Sequence, residues 1–462
     1  MLPASCIAAA RVYCRTSMYL GAIELKKVKA FEDLKFNFQR PDGGYAGWTV
    51  IVGGNSSGKS TLLKSAALAL MGPDYGNQIL RDIRGWIKHG EKQATVIATV
   101  VKDADFDSFK VKGKFPPTTF PAEVRWEQPK PDDVPIFREA PLPKNKRISS
   151  AGRGLWHPNS EGWFRAGYGP MRRLSGSSSE SMRYSAAGGV VSRFVTLFHE
   201  DAALSESEEW LKKMHARTLE VNRPNRQETL DLLEGVKGLL NDGLLPLGMK
   251  ISRLSIDEVF ISGSTGVELP MQDISDGCRS IYATVLDLVH IIYEVYKGKN
   301  IFDKNDAGQT VINKPGVVII DEIEAHLHPA WQREVPYWLK THFPNIQFIV
   351  GTHSPLVVQA ADPNGIFLLP LQNEASRIPR QLSKEEYEKV RWGSAHKTLL
   401  GVAFGLSSIR SRWANQQVEK WTLLNAKKEA GVNLTTQERQ EHKTLERELT
   451  ANLELFSEAQ VP

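Results

Sequence analysis

The sequence predicts an α/β fold built on a parallel sheet covered on both faces. Three observations carry that prediction. The apolar run WTVIV at 48–52 passes directly into a glycine-rich turn and then into the helix-like run LLKSAALALMG at 62–72. GVVIID at 316–321 and QFIVGTHS at 347–354 are near-continuous apolar runs, the pattern of strands buried on both faces. A long helix is expected over 275–296, SDGCRSIYATVLDLVHIIYEVY.

The 462 residues suffice for one large domain or two to three ordinary ones. Apolar residues make up 41% and charged residues 24%, which excludes wholesale disorder and fibrous classes. The net charge of +5 is a small excess and does not by itself argue for a nucleic-acid binder. The three cysteines contain no CxxC, so neither a disulfide framework nor a cysteine zinc site is expected, and a reducing compartment fits. The most apolar stretch, 285–296, is broken by Asp287, His290 and Glu294, too polar for a membrane span. A cytoplasmic protein without membrane contact is expected.

Residues 1–17 carry no acid and no periodic pattern, and Met18 stands directly before the first strand. They read as a disordered leader or a mis-called start. Residues 18–101 read as strands YLGAIEL and LKFNF, then WTVIV with its loop and helix, then ATVIATVV. Residues 102–189 hold ten prolines and three tryptophans, which reads as an insertion of short strands and loops. D-x-D-x-D at 103–107 reads there as a polar strand edge. Residues 190–248 form a short helical arm, opened by a capping box at Ser205-x-x-Glu208. Strands return at 249–262, and 249–372 holds the second half of the core. Residues 373–462 read as helical, with capping boxes at Ser383-x-x-Glu386 and Thr435-x-x-Glu438. Leu445, Leu449, Leu453 and Phe456 share one face, which suits a C-terminal hairpin against Trp413, Trp421 and Leu424.

The strongest chemical signal is Gly53-Gly54-Asn55-Ser56-Ser57-Gly58-Lys59-Ser60-Thr61, between a strand and a helix. Backbone N–H groups of such a loop wrap phosphates, and the helix N-terminus favours their charge. Lys59 would reach the outer phosphates of ATP and Ser60 would ligate Mg2+. A second signal is Asp321-Glu322 at the carboxyl end of a strand, where ligands bind in open α/β sheets. Asp321 suits Mg2+, and Glu322 can orient and deprotonate water; Glu324 is the alternative base. A third is His353, just past a strand and placed to contact phosphate or water. A fourth is the helix start at Ser275 and Gly277, a second phosphate-facing terminus, which suggests a site shared with another copy of the chain. His326 and His328 have H-x-H spacing, but a metal needs three or four ligands, so this segment is expected to meet a partner subunit instead.

In this order, the four signals resemble the ABC-type ATPases of the RecF, Rad50, SMC and OLD branch. The resemblance implies a P-loop NTPase fold of ABC-ATPase type, with phosphate loop, signature, acidic strand end and switch histidine. The signature departs from the LSGGQ pattern: ISDGCR places Asp276 where a glycine is usual. GWIKHGE at 85–91, GYGPMRRL at 167–174 and EAHLHPAWQ at 324–332 look like the stand-alone ATPases of anti-phage systems, most like the PtuA ATPases of Septu systems, with similar proteins in retron systems. That likeness implies a homo-oligomeric ATPase working with a separately encoded HNH nuclease. The family's glutamine-bearing sensor loop has no evident glutamine here, and the Tyr168–Arg173 stretch stands where it is sought.

Two functions compete. One is an ATP-driven switch that closes a homodimer and controls a partner nuclease. The other is a RecF-like ATPase acting on DNA in repair, with a basic cluster of Lys144, Lys146, Arg147, Arg153, Arg172 and Arg173. A nuclease centre within this chain is not expected, because the carboxylate set that two-metal cleavage needs is missing after His353.

Overall fold

The computed structural model describes residues 18–103, 105–108, 117–130, 132–144, 148–158, 160–186, 188–298, 301–370 and 378–457. The leader expected at 1–17 lies outside these residues, as do Lys146 and Arg147 of the basic cluster. The chain divides into two compact units between Thr398 and Leu399.

Two sheets organise the larger unit. Antiparallel strands β1 (Tyr19–Val28), β2 (Phe31–Asn37), β4 (Gln93–Val101), β5 (Thr119–Glu127) and β6 (Ile136–Glu139) pair in the order β2-β1-β4-β5-β6. The second sheet contains β3 (Gly47–Val52), β7 (Arg165–Tyr168), β13 (Gly316–Asp321), β14 (Ile346–Thr352), β15 (Ile366–Leu368) and β16 (Arg380–Gln381). Its order is β16-β15-β3-β14-β13-β7, parallel throughout except at the β16 edge. A smaller antiparallel sheet joins β8 (Lys250–Leu254), β9 (Val259–Ser262) and β10 (Glu268–Pro270), and β11 (Asp303–Lys304) pairs with β12 (Thr310–Val311).

The helix Lys59–Met71 explains why the two sheets stay together. Its run of Leu and Ala is apolar all round, as suits a helix covered on every side. Leu62, Leu63, Leu68 and Leu70 join Val96 and Trp126 of the antiparallel sheet and Val317 and Ile349 of the parallel sheet in one apolar cluster.

The stretch read as an insertion is not peripheral. β5 and β6 extend the antiparallel sheet, and β7 pairs in parallel with β13. The many prolines obscured this: Pro121 sits inside β5, where burial alternates from Phe120 to Trp126. Two of the three D-x-D-x-D carboxylates, Asp103 and Asp107, bond backbone amides. Asp103 accepts from Asp105 N and Phe106 N, and Asp107 accepts from Asp103 N and Trp163 N. Burial pushes the Asp107 carboxyl up to about 7.

The arm is a pair of helices, Ser205–Leu219 and Arg226–Leu240, packed on the long helix Asp276–Val295. Trp210 stacks on His290 with ring centroids 4.7 Å apart. The capping box expected at Ser205 does not form: Leu204 takes the cap position and the Ser205 side chain caps no N–H. The box at Ser383 does form, and Thr435 with Glu438 exchanges the two corresponding bonds. β16 and the helix Lys384–Trp392 belong to the larger unit, where the Tyr387 hydroxyl donates to Ala361 O at 3.0 Å. The smaller unit is the expected hairpin, helices Arg412–Glu429 and Thr436–Ser457, with a core of Leu424, Leu434 and Leu445 beside Trp421. Trp413 is exposed rather than part of that core.

Trp126, near the end of β5, is fully buried, stacked on Trp86 at 4.8 Å and packed against Phe137 at 4.7 Å. Trp126→Ala is expected to cost about 3–5 kcal/mol; a urea titration of the variant against the parent measures it.

Candidate functional site

Neighbouring parallel strands end on the same edge of a sheet, and β3, β14 and β13 are neighbours. Their carboxyl ends therefore bring together three segments that are distant in sequence. The glycine-rich turn follows β3, Asp321 closes β13, and His353 follows β14.

The turn enters the helix through Gly58, whose φ of 98° is a left-handed value that favours glycine. A Cβ there would meet the Phe31 ring at 2.6 Å. Lys59 is only 6% exposed. Its Nζ turns back over the turn and donates to Gly53 O at 3.0 Å and Gly54 O at 3.1 Å. Burial holds its pKa down, opposed by the charges of Asp321, Glu322 and Glu324. Asn55, Ser56 and Ser60 are exposed, so their polar groups face outward.

Asp321 is buried, and its Oδ1 has no hydrogen-bond partner among the described residues. A buried carboxylate oxygen left unpaired is costly, and it is a hard donor of the kind a divalent cation takes, which Asp321 and Ser60 would hold. Glu322 has a φ of 48°, a left-handed value rare for a residue with a side chain. Its amide donates to Gly351 O at 2.9 Å, fixing the turn to β14. The two acids open as candidate bases differ in environment. Glu324 already accepts from the Thr352 hydroxyl at 2.6 Å and from His353 N at 2.5 Å. Among the described residues no such side-chain bond is seen for Glu322, which is half-buried.

Burial lowers the His353 pKa, and the Lys59 charge lowers it further, against the pull of Glu324, Glu322 and Asp321. Burial and the Lys59 charge thus favour the neutral imidazole, which can donate or accept. Ser354 follows it as the cap of a short helix, and its hydroxyl donates to Gln332 at 2.7 Å.

Ser275 is the cap residue of Asp276–Val295, but its hydroxyl donates to Cys278 Sγ at 3.1 Å and caps no amide. Gly277 lies against the acidic turn: a Cβ there would stand 2.4 Å from His326 O. His326 is exposed with a φ of 67°, and His328 caps the helix Pro329–His342. Among the described residues no group of three metal-ligating side chains gathers around either histidine or elsewhere.

Arg172 departs most from its expected place. Read as part of a solvated basic cluster, it is instead 4% exposed and packed beneath the acidic turn. Its guanidinium donates to the carbonyls of Gly169, Asp321, Glu322 and Ile323. Sequence reasoning missed it because an arginine beside another arginine reads as surface charge. The signal that could have found it is its position two residues after Gly169-Pro170, at the end of a strand bordering β13.

A family model described as "AAA domain, putative AbiEii toxin, Type IV TA system" matches residues 48–359, the stretch from β3 to just past His353. The chain belongs to this AAA-domain family. The family region contains the glycine-rich turn, the helix start at Ser275, the acidic strand end and His353, and the α/β fold with a parallel sheet expected from the sequence is the fold observed. The Septu protein PtuA of Bacillus thuringiensis is 33% identical over 171 residues, 37% of this chain and 41% of that protein. The Septu protein PtuA of Bacillus mycoides is 25% identical over 362 residues, 78% of this chain and 42% of that protein. The chain thus spans about two fifths of the length of these curated relatives. Among solved structures, an SmcHead bound to the C-winged helix domain of ScpA is 16% identical, with 80% of this chain and 99% of that one covered and a TM-score of 0.45. Among the described residues no helix is long and apolar enough to cross a membrane.

Lys59→Ala removes the lysine seated on the glycine-rich turn's carbonyls. It is expected to weaken ATP binding about tenfold or more, by loss of charge-assisted contacts; titration with a fluorescent ATP analogue checks this.

Proposed function

We propose that the chain binds ATP with Mg2+ and hydrolyses it, and that this reaction drives a homo-oligomeric switch. The observation that carries the reading is the meeting of Lys59, Asp321, Glu322 and His353 at the carboxyl edge of three adjacent parallel strands.

Each residue has a task that follows from its surroundings. The amides of 53–61 and the start of the helix Lys59–Met71 cradle the phosphates, and Lys59 exchanges its two carbonyl partners for phosphate oxygens. Ser60 and Asp321 would hold a divalent cation, which would supply charge withdrawal from the phosphates. Glu322 orients a water in line with the outer phosphorus and takes its proton as the new P–O bond forms and ADP departs. Neutral His353 donates to the outer phosphate, with its backbone N–H fixed by Glu324. Ser275 and Gly277 serve the phosphate bound by another copy, so each site is completed only when two chains close. Hydrolysis removes contacts present only in the closed form and so opens the assembly.

The PtuA relatives support a role in anti-phage defence in the cytoplasm, and the family resemblance supports a separately encoded HNH nuclease as the partner under control. The RecF-like alternative, an ATPase acting on DNA, loses support because Arg172, one member of its basic cluster, faces inward.

Glu322→Gln is expected to keep ATP binding and slow hydrolysis by about two to three orders of magnitude, trapping the ATP-bound assembly. Phosphate release and size-exclusion chromatography with ATP test it, and a normal rate would transfer the role to Glu324. Ser275→Arg is expected to abolish hydrolysis while leaving ATP binding within about threefold of the parent, since Lys59 and the turn are untouched. Mixing it with Lys59→Ala chains should restore partial activity, because each heterodimer holds one intact site; no rescue in a verified heterodimer would refute the shared site.

A further inference from the structure

The segment Gly167–Leu174 runs on from the last two residues of β7, and none of its residues has a part in the reaction so far. It is bonded twice to the signature helix Asp276–Val295. The Tyr168 hydroxyl donates to Asp287 Oδ2 at 2.8 Å, and Arg172 Nε donates to Ser280 Oγ at 3.3 Å. It is also bonded to the acidic turn. Arg172 Nη1 donates to Gly169 O at 2.5 Å and Asp321 O at 3.1 Å, while Nη2 donates to Glu322 O at 3.2 Å and Ile323 O at 3.1 Å. A guanidinium has five N–H groups in a rigid planar fork, and here every one has an acceptor. Four of the five bonds end on backbone, three of them on consecutive carbonyls of the turn that carries the general base.

We propose that Arg172 is a positioning residue that fixes the backbone of the Asp321–Ile323 turn and links it to the signature helix through Ser280. The inference rests on the ATPase reading and deepens it. Glu322 adopts a left-handed backbone, a conformation that persists only when its surroundings over-determine it. The amide of Glu322 is held by Gly351 O from one side. Arg172 holds the carbonyls from the other side, so the direction of the Glu322 side chain is set by both. Because Nε reaches Ser280 in the second turn of the signature helix, a shift of that helix when a phosphate docks at Ser275 is felt at the carbonyls of 321–323. Burial brings the Arg172 pKa down to about 10, so the group stays charged at neutral pH and its bonds to carbonyls are charge-assisted. An ammonium at this position has three donors and no planar fork, so lysine cannot hold three carbonyls and a hydroxyl together.

Arg172 also lines an open cleft of about 560 Å³ with Ser280, Asp276, Arg279 and His326. Removal of its side chain therefore leaves a space that a small cation can enter from solvent, which makes the test specific. The full-length chain, Arg172→Ala, Arg172→Lys and Ser280→Ala are compared for kcat, KM and affinity for a fluorescent ATP analogue with Mg2+. In Arg172→Ala, kcat is expected to fall about 100-fold, with KM and analogue affinity within about threefold of the parent. Added guanidinium at about 20 mM should restore at least about tenfold of the loss there, and nothing in Lys59→Ala. Arg172→Lys should remain about as slow as Arg172→Ala, and Ser280→Ala should lose a few-fold in kcat alone.

Normal kcat in Arg172→Lys would overturn the proposal. So would a parallel loss of affinity and kcat in Arg172→Ala without guanidinium rescue, or failure of both Arg172 variants to fold, since each marks a purely structural residue. A parent chain that binds the analogue but never hydrolyses ATP would instead overturn the ATPase reading, and the role of Arg172 in it.

Discussion

The parallel register of β14 between β3 and β13 is the constraint on which the site depends. Ile349 of β14 is the Cα partner of Thr49 on one side and Ile319 on the other. Because side chains alternate and parallel strands end together, this register places the glycine-rich turn, Asp321 and Thr352 on one edge. A shift of one residue in either pairing would turn Asp321 toward the opposite face of the sheet. The register is held because all three strands are buried: six of six residues of β13 and seven of seven of β14 are sheltered from solvent. Gln347 is buried among them without penalty, since its amide exchanges bonds with Leu20 N and O of the antiparallel sheet. That pair also pins the two sheets to each other at the end remote from the site.

The turn after β13 shows how a strand end gives neighbouring acids different surroundings. Asp321 still has strand geometry, Glu322 is left-handed, and Glu324 returns to β14 through Thr352 and His353. Each acid therefore meets a different environment within four residues. Asp321 is buried with an unpaired oxygen, Glu322 is partly exposed, and Glu324 is committed to the neighbouring loop. Lys59 sits within the field of all three, so its charge is held in place while its carbonyl partners remain replaceable.

Much of this was legible in the sequence because it is local. WTVIV, GVVIID and QFIVGTHS are strands, the glycine-rich turn sits where its pattern places it, and the long helix begins at Asp276. The capping boxes at Ser383 and Thr435 follow from side chains three residues apart. What the sequence hid depends on contacts between distant segments. β5, β6 and β7 look like insertion because prolines and tryptophans interrupt them, and only pairing with β4 and β13 reveals them as part of the sheets. Ser205 carries the capping pattern, yet the helix begins at it rather than after it. Arg172 looks like one of two adjacent surface cations, and its burial depends on carbonyls about 150 positions away.

The signature helix joins these parts mechanically. Its first turn is pressed against the acidic turn through Gly277 and His326 O, and its second turn reaches Arg172 through Ser280. Further along, Asp287 accepts from Tyr168, and His290 stacks on Trp210 of the arm. Burial raises the Asp287 carboxyl to about 6, opposed first by the Tyr168 hydrogen bond and then by the His290 charge. These four contacts lie along one helix, and closely packed side chains transmit displacement rather than absorb it. The helix start at Gly277, the Arg172 fork and the arm at Trp210 are thereby tied through one element to the turn that carries Glu322.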